Sequence, residues 1–344
     1  MQGIAYWIEK RAQINPYRIA VITDTEQLTY EELAEKINAV AYFLKYERKV
    51  KKGDRIAILS QNRLEYITLL FAIAKLECIA VPLNIRLNVH ELLYQLKDSG
   101  TSLLIAEETF YPMAESLQED LGIQLLPIEL FNKLDSIEET LDIGEVDEHV
   151  PYIICYTSGT TGKPKGAVLT QSNMYWNAIN NILALDITSK DRSIVLLPLF
   201  HIGGIGLFAY PTLFVGGTIV IPGRFDPVKA IEMIEKHRVT IVMGVPSIHQ
   251  ALYHSPNFAT ANLSSVRWFY SGGAPCPREL IQAFFDKGFL FGQGFGLTET
   301  SPTIFMLSRE DAKRKMGSIG KPTLFCEFKL VDDNGNEVKP GEVG

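Results

Sequence analysis

The chain has 344 residues, a formal net charge of −7 and 47% hydrophobic residues, enough for roughly two domains' worth of core in an ordinary globular composition. The acidic balance argues against a nucleic-acid-binding surface, and no apolar run approaches the roughly 18 residues of a membrane span. Cys78, Cys155, Cys276 and Cys326 are far apart with no CxxC, and the six histidines form no HxxxH, so reduced core cysteines of a cytoplasmic protein are expected, with neither a disulfide framework nor a metal-ligand cluster.

In chain order, residues 1–17 mix Glu9, Lys10 and Arg11 with apolar residues, which reads as a folded amphipathic helix and not as a signal peptide. Thr29 and Glu32 have capping-box spacing ahead of Leu33, Ile37, Val40 and Leu44, one apolar helix face. Gly53-Asp54 turns the chain into a buried strand at 55–59. A helix at 63–77, a strand at 79–82, a helix at 90–99 and a strand at 102–105 follow. Two consecutive β-α-β crossovers imply a parallel sheet. Residues 114–148 read as an acidic connector with one short strand near Gln124-Leu125-Leu126.

A strand at 152–156 leads into the most informative stretch, and a helical pattern begins near Ser172. Asp226-Pro227 places an N-cap and an N1 proline before a helix at 228–237. Strands at 239–245, 266–270 and 290–295 alternate with helices at 247–254 and 277–287. Near Met316 the style changes: 325–331 and 337–339, joined by Asp333-Asn334-Gly335-Asn336, read as a β-hairpin. The fold class expected is α/β: two similar subdomains with largely parallel sheets packed together, plus the start of a small β-barrel or hairpin unit. The first spans about 50–170, the second 1–49 with 171–315, and the third, incomplete, 316–344.

Thr157-Ser158-Gly159-Thr160-Thr161-Gly162-Lys163-Pro164-Lys165-Gly166 puts three glycines, four hydroxyls and two lysines in one short segment. Glycine lets backbone N–H groups approach a phosphate, hydroxyls add donors and lysine adds charge. It is not a Walker A loop, since Gly159 and Gly162 are only three apart and Pro164 follows Lys163; nor does it have the Rossmann spacing. A bare surface turn would need neither the clustered threonines nor two lysines.

This decamer resembles the signature of the adenylate-forming superfamily, which includes acyl-CoA synthetases, luciferases and peptide-synthetase adenylation domains. Three further blocks are similar to that family: Gly292-Gln293-Gly294-Phe295-Gly296-Leu297-Thr298-Glu299-Thr300, with Phe295 in place of tyrosine; Ser271-Gly272-Gly273-Ala274-Pro275; and Leu197-Pro198-Leu199-Phe200-His201. The resemblance covers the whole chain. It implies ATP-dependent activation of a carboxylic acid to an acyl-adenylate, with transfer to coenzyme A as co-substrate.

On that resemblance Thr157, Ser158, Gly159, Thr160, Thr161 and Gly162 cradle the β- and γ-phosphates, Lys165 is the cation and Lys163 is solvated. Glu299, with Thr157, holds Mg²⁺, since a hard cation takes carboxylate, hydroxyl and phosphate oxygens. Thr298 donates to the α-phosphate. Gly273, Ala274 and Pro275 form an adenine-facing wall, and Phe295 stacks on the purine where Gly294 and Gly296 leave room for a flat ligand. Alone, Phe295 reads as core and His201 as a satisfied core histidine; a helix-start charge without a catalytic role is the lesser alternative for Glu299.

In resembling acyl-CoA synthetases a histidine at His201 lines the carboxylate end of the acyl site, whereas peptide-synthetase domains place an aspartate there. A neutral residue argues for an acid without an ammonium group, because an unpaired buried charge is costly. The acyl pocket is expected between 202–208 and 244–247. Only Arg224 and Arg267 stand as partners for a second carboxylate, so a fatty or aryl acid is favoured over a dicarboxylate such as o-succinylbenzoate. Resembling proteins continue into a completed barrel, a ribose-binding aspartate and a lid with a catalytic lysine. The expectation is therefore an N-terminal fragment with reduced or incomplete activity, or a module that only binds nucleotide and acyl groups. A homodimer is suggested by the resemblance alone.

Overall fold

The computed structural model describes residues 2–344 except 135, 136, 138, 140, 142–144, 148 and 159–161. Of the expected phosphate-binding residues, Gly159, Thr160 and Thr161 lie outside the described residues, as does part of the expected connector.

The first half of the chain runs α1 (Ala5–Ile14), β1 (Ile19–Ile22), β2 (Gln27–Thr29), α2 (Tyr30–Tyr42), β3 (Arg55–Leu59), α3 (Leu64–Lys75), β4 (Ile79–Pro82), α4 (Val89–Ser99), β5 (Leu103–Ala106), α5 (Tyr111–Leu121), β6 (Gln124–Pro127), β7 (Pro151–Thr157) and β8 (Lys165–Thr170). The second half runs α6 (Gln171–Leu185), β9 (Arg192–Val195), α7 (Ile202–Gly206), α8 (Ala209–Phe214), β10 (Thr218–Val220), α9 (Pro227–Lys236), β11 (Ile241–Gly244), α10 (Pro246–Tyr253), β12 (Trp268–Ser271), α11 (Arg278–Asp286), β13 (Phe291–Phe295), β14 (Phe305–Met306) and β15 (Lys321–Pro322).

Two sheets result. One has the order β6-β5-β3-β4-β7-β8, and the other β15-β14-β13-β12-β11-β9-β10-β1-β2. Pairing is parallel except at the edges, where β7–β8, β1–β2, β13–β14 and β14–β15 are antiparallel. The α/β expectation with largely parallel sheets is met. Helix α3 shows how the halves join: all twelve of its residues are buried, and it shares one apolar cluster with α1, α2, β7 and α8. A helix apolar on every face must be enclosed. Inside this cluster the Tyr152 hydroxyl bonds the Tyr210 hydroxyl and donates to the Leu70 carbonyl at 3.0 Å.

Caps fall where the side chains supply them. Thr29 with Glu32 closes the capping box of α2, and Asn88 with Glu91 closes another on α4. Asp226 accepts from the Lys229 N–H ahead of Pro227 at the start of α9.

Two expectations change. The acidic connector holds a regular helix, α5, besides the strand β6; Ala114 and Leu117 are its only buried residues, so its apolar face is too narrow to stand out as a period. The hairpin expected at 325–339 is reduced to one antiparallel bridge, Val331 to Glu337, beside the turn. Gly335 at φ +81° makes that turn, but Phe325, Phe328 and Leu330 are half exposed and no buried face fixes a longer register. All four cysteines are free, three of them buried. Among the described residues no helix is long and apolar enough to cross a membrane, and no group of three or more His, Cys, Asp or Glu side chains converges as a metal site.

Candidate functional site

A cavity of about 720 Å³ opens beyond the carboxyl ends of β11, β12 and β13, the place where open parallel sheets present ligand sites. Helix α7 forms one side through Ile202, Gly203 and Leu207, and the turn after β11 contributes Val245 and Ser247. This is the position expected for the acyl pocket. Its lining is mostly apolar and, among the described residues, contains no aspartate or glutamate.

The segment 157–166, expected to bind phosphate, lies at the tip of an antiparallel hairpin. Thr157 ends β7 and pairs with Lys165, which starts β8. Ser158, Gly162, Lys163 and Lys165 are exposed. Gly162 adopts φ +86°, a left-handed conformation that favours glycine. The hairpin is tied to α4 on both strands. Tyr94 donates to the Pro164 carbonyl at 3.2 Å, and Tyr156 donates to Asp98 Oδ2 at 2.7 Å.

Thr157 and Glu299 come from different sheets, 142 residues apart, yet the Thr157 hydroxyl donates to Glu299 Oε1 at 3.1 Å. Glu299 lies in the short 3₁₀ turn Thr298–Thr300 directly after β13, and Thr298 lines the cavity. Hydroxyl and carboxylate thus converge beside the exposed hairpin.

His201 precedes α7 and lines the cavity, its ring 4.6 Å from that of Phe200. His201 is exposed at the cavity edge; partial desolvation by the cavity wall, and then the positive charge of Arg86, lower its pKa from the ordinary value of 6.5, which favours the neutral imidazole.

Gly273, at φ +79°, Phe295, Gly294 and Gly296 line the cavity. Ala274 and Pro275 are exposed beside it and are not part of its wall. Phe295 is 43% exposed, with its ring 6.3 Å from that of Phe305. The sequence reading has Gly294 and Gly296 leaving room for a flat ligand, and the structure shows a further reason for glycine at both positions. A Cβ on Gly296 would lie 1.7 Å from the Pro302 carbonyl oxygen, and one on Gly294 2.7 Å from that of Phe305. Both glycines let one backbone segment pass against another.

Of the arginines considered, Arg267 is committed to Asp191, with Nε to Oδ1 at 2.7 Å and Nη2 to Oδ2 at 2.9 Å. Arg224 lies in an adjoining cavity of about 530 Å³. Among the described residues the cation that lines the main cavity is Arg86, which lines both. Sequence reasoning missed it because Arg86 sits in the short loop before α4, outside every recognisable string; only folding brings it to the cavity that His201 lines.

The AMP-binding enzyme family matches residues 8–344. Feruloyl-CoA synthase of an Amycolatopsis species is 38% identical over 343 residues, covering 100% of this chain and 69% of its own length. The 2-succinylbenzoate–CoA ligase of Bacillus subtilis is 36% identical over 98% of this chain and 67% of its own. Among solved structures, the inhibitor-bound N-terminal domain of FACL13 from Mycobacterium tuberculosis superposes with a TM-score of 0.90 at 30% identity, covering 98% of this chain and 86% of that one. O-succinylbenzoate coenzyme A synthetase from Bacillus subtilis in complex with AMP gives 0.87 at 35% identity, covering 98% and 84%. With the two parallel sheets, the threonine- and glycine-rich hairpin and the Thr157–Glu299 contact in place, the chain belongs to the AMP-binding enzyme family, as a ligase.

Proposed function

We propose that this protein activates an aryl or fatty carboxylic acid with ATP and passes the acyl group to coenzyme A, with the acid in the 720 Å³ cavity and the polyphosphate on the 157–166 hairpin. The observation that carries this reading is the meeting of Thr157 and Glu299 at 3.1 Å, beside a phosphate-type hairpin and next to an apolar cavity.

Each residue then has a task. Thr157, Ser158 and Gly162, with the 159–161 part of the motif, offer donors to the polyphosphate, and Lys165 supplies the positive charge. Thr298 donates to the α-phosphate. Gly273, Ala274, Pro275 and Phe295 border the purine. The residues present fit Mg²⁺: two hard oxygen donors converge, and among the described residues no third acidic or histidine ligand joins them. A cation that takes one or two protein oxygens and completes its shell from phosphate and water suits such a pair. When bound there, Mg²⁺ supplies charge neutralisation on the polyphosphate. Neutral His201 donates a hydrogen bond to the acid carboxylate without the full ion pair that would quench its nucleophilicity. The carboxylate oxygen attacks the α-phosphorus and pyrophosphate leaves. The thiol of coenzyme A then attacks the acyl carbon, losing its proton, and AMP departs.

An acid-free lining disfavours an amino-acid substrate, whose ammonium group would be buried without a partner. A second reading, an acid with another anionic group, is favoured by one observation: Arg86 shares the cavity with His201. A cytoplasmic setting and a homodimer are part of the proposal; fractionation and sedimentation velocity test them.

Acid-dependent ATP–pyrophosphate exchange on the full-length gene product, with fatty, aryl, dicarboxylic and amino acids, tests the proposal. Exchange is expected with aryl or fatty acids. Exchange with amino acids alone would overturn it. Stimulation by dicarboxylic acids that Arg86→Ala abolishes would establish the second reading.

A further inference from the structure

Helix α7 is poorly equipped to hold its own place. Three of its five residues are glycine, one turn of helix is marginal by itself, and the carbonyls at its end have no partners within the helix. Those carbonyls are met by asparagines on α6. Asn177 Nδ2 donates to the Gly206 carbonyl at 2.7 Å, and Asn181 Nδ2 donates to Gly206 at 3.2 Å and to Leu207 at 2.9 Å. The other end of Asn177 is also used: its Oδ1 accepts the Thr303 N–H at 3.2 Å. Asn177 is buried, so each of these bonds replaces contact with water.

The two groups it joins border one cavity. Gly203 and Leu207 line it from the α7 side, and Pro302 and Thr303 line it from the segment after β13. The sides touch at Gly206, where an added Cβ would lie 2.8 Å from Pro302 Cδ and 3.2 Å from Asn177 Nδ2.

We infer that Asn177 is a positioning residue that sets the width of the acid cavity, by clamping α7 to the 302–303 segment, and thereby sets which size of acid is accepted. This rests on the proposed placement of the acid in that cavity. Asn177 acts through α7 and Thr303 and has no role in the reacting atoms. Because α6 follows β8 directly, the same helix carries the C-terminal strand of the phosphate hairpin into this clamp.

The test is binding by the chain itself. Two non-hydrolysable acyl-sulfamate analogues of the adenylate are compared, one benzoyl and one feruloyl, with AMP as the internal reference. Asn177→Ala removes the clamp. Gly206→Ala keeps the Asn177 side chain but crowds it and Pro302, wedging the same two walls apart, and it carries the test should Asn177→Ala fail to fold. Both variants are expected to shift the benzoyl-to-feruloyl affinity ratio about tenfold towards the larger group, the scale at which hydrophobic pockets discriminate size, with AMP affinity held within about twofold. The two effects should not add in the double variant, because the sites are in contact. An unchanged ratio in folded variants overturns the inference, as does equal weakening of both analogues and AMP. If the unsubstituted chain binds AMP but neither analogue, the placement of the acid in the cavity fails first, and the inference with it.

Discussion

His249 is buried among Phe269, Phe284 and Phe291, and its Nε2 bonds the Tyr270 carbonyl at 2.8 Å. Among the described residues its Nδ1 has no hydrogen-bond partner. Burial lowers its pKa to about 4, against the opposing pull of neighbouring carbonyls. The unfolded chain therefore binds more protons than the folded one between about 6.5 and about 4. Stability rises with pH across that window and is lost as pH falls through it, by on the order of 3 kcal/mol. His249→Gln is expected to flatten that part of the melting-temperature profile measured from pH 4 to 8; an unaltered slope would refute the assignment. Glu299→Gln keeps the size of the side chain and removes its charge. It is expected to weaken Mg²⁺-dependent ATP binding at least about tenfold, roughly 1.4 kcal/mol or more, while binding of metal-free AMP is retained; calorimetry with and without Mg²⁺ decides. At this scale Glu299 and His201 were legible because they sit inside recognisable strings. Arg86 was not: it lies outside every recognisable string, and it stays exposed while lining the cavity that His201 also lines.

Local signals fixed most elements because they depend on side chains a few residues apart. The Thr29–Glu32 box opens α2 where its spacing indicates, and Thr29→Ala should cost about 1 kcal/mol in denaturant unfolding. Elements that owe their order to a neighbour were harder to read. α5 buries only two side chains, and the 325–339 strands lack a packed face, so turn chemistry without tertiary partners yields a bridge and no ladder. The segment 157–165 was legible as a family string, but its anchoring was not. Tyr94, on α4, holds the Pro164 carbonyl next to Lys165. Loss of that bond in Tyr94→Phe, worth about 1 kcal/mol, should raise the KM for ATP about fivefold with little change in the KM for the acid. Equal changes in both would indicate general loosening instead.

At the scale of the whole molecule the two sheets meet around α3, and the paired hydroxyls of Tyr152 and Tyr210 lie in that shared core. Tyr152→Phe leaves the Tyr210 hydroxyl without this partner and should destabilise the chain by about 1–3 kcal/mol, with a single calorimetric transition retained; two separated transitions would mean that the sheets unfold independently. The sequence by itself determined the α/β class, the strand-and-helix succession and the strings that mark the family, because hydrophobic period, caps and local composition are properties of neighbouring residues. Only the tertiary structure decided that Thr157 reaches Glu299, that Arg86 and His201 line one cavity, and that neighbouring backbone lies close against Gly294 and Gly296. These are distances between segments far apart in the chain, set by how two sheets pack, and no local pattern of residues encodes them.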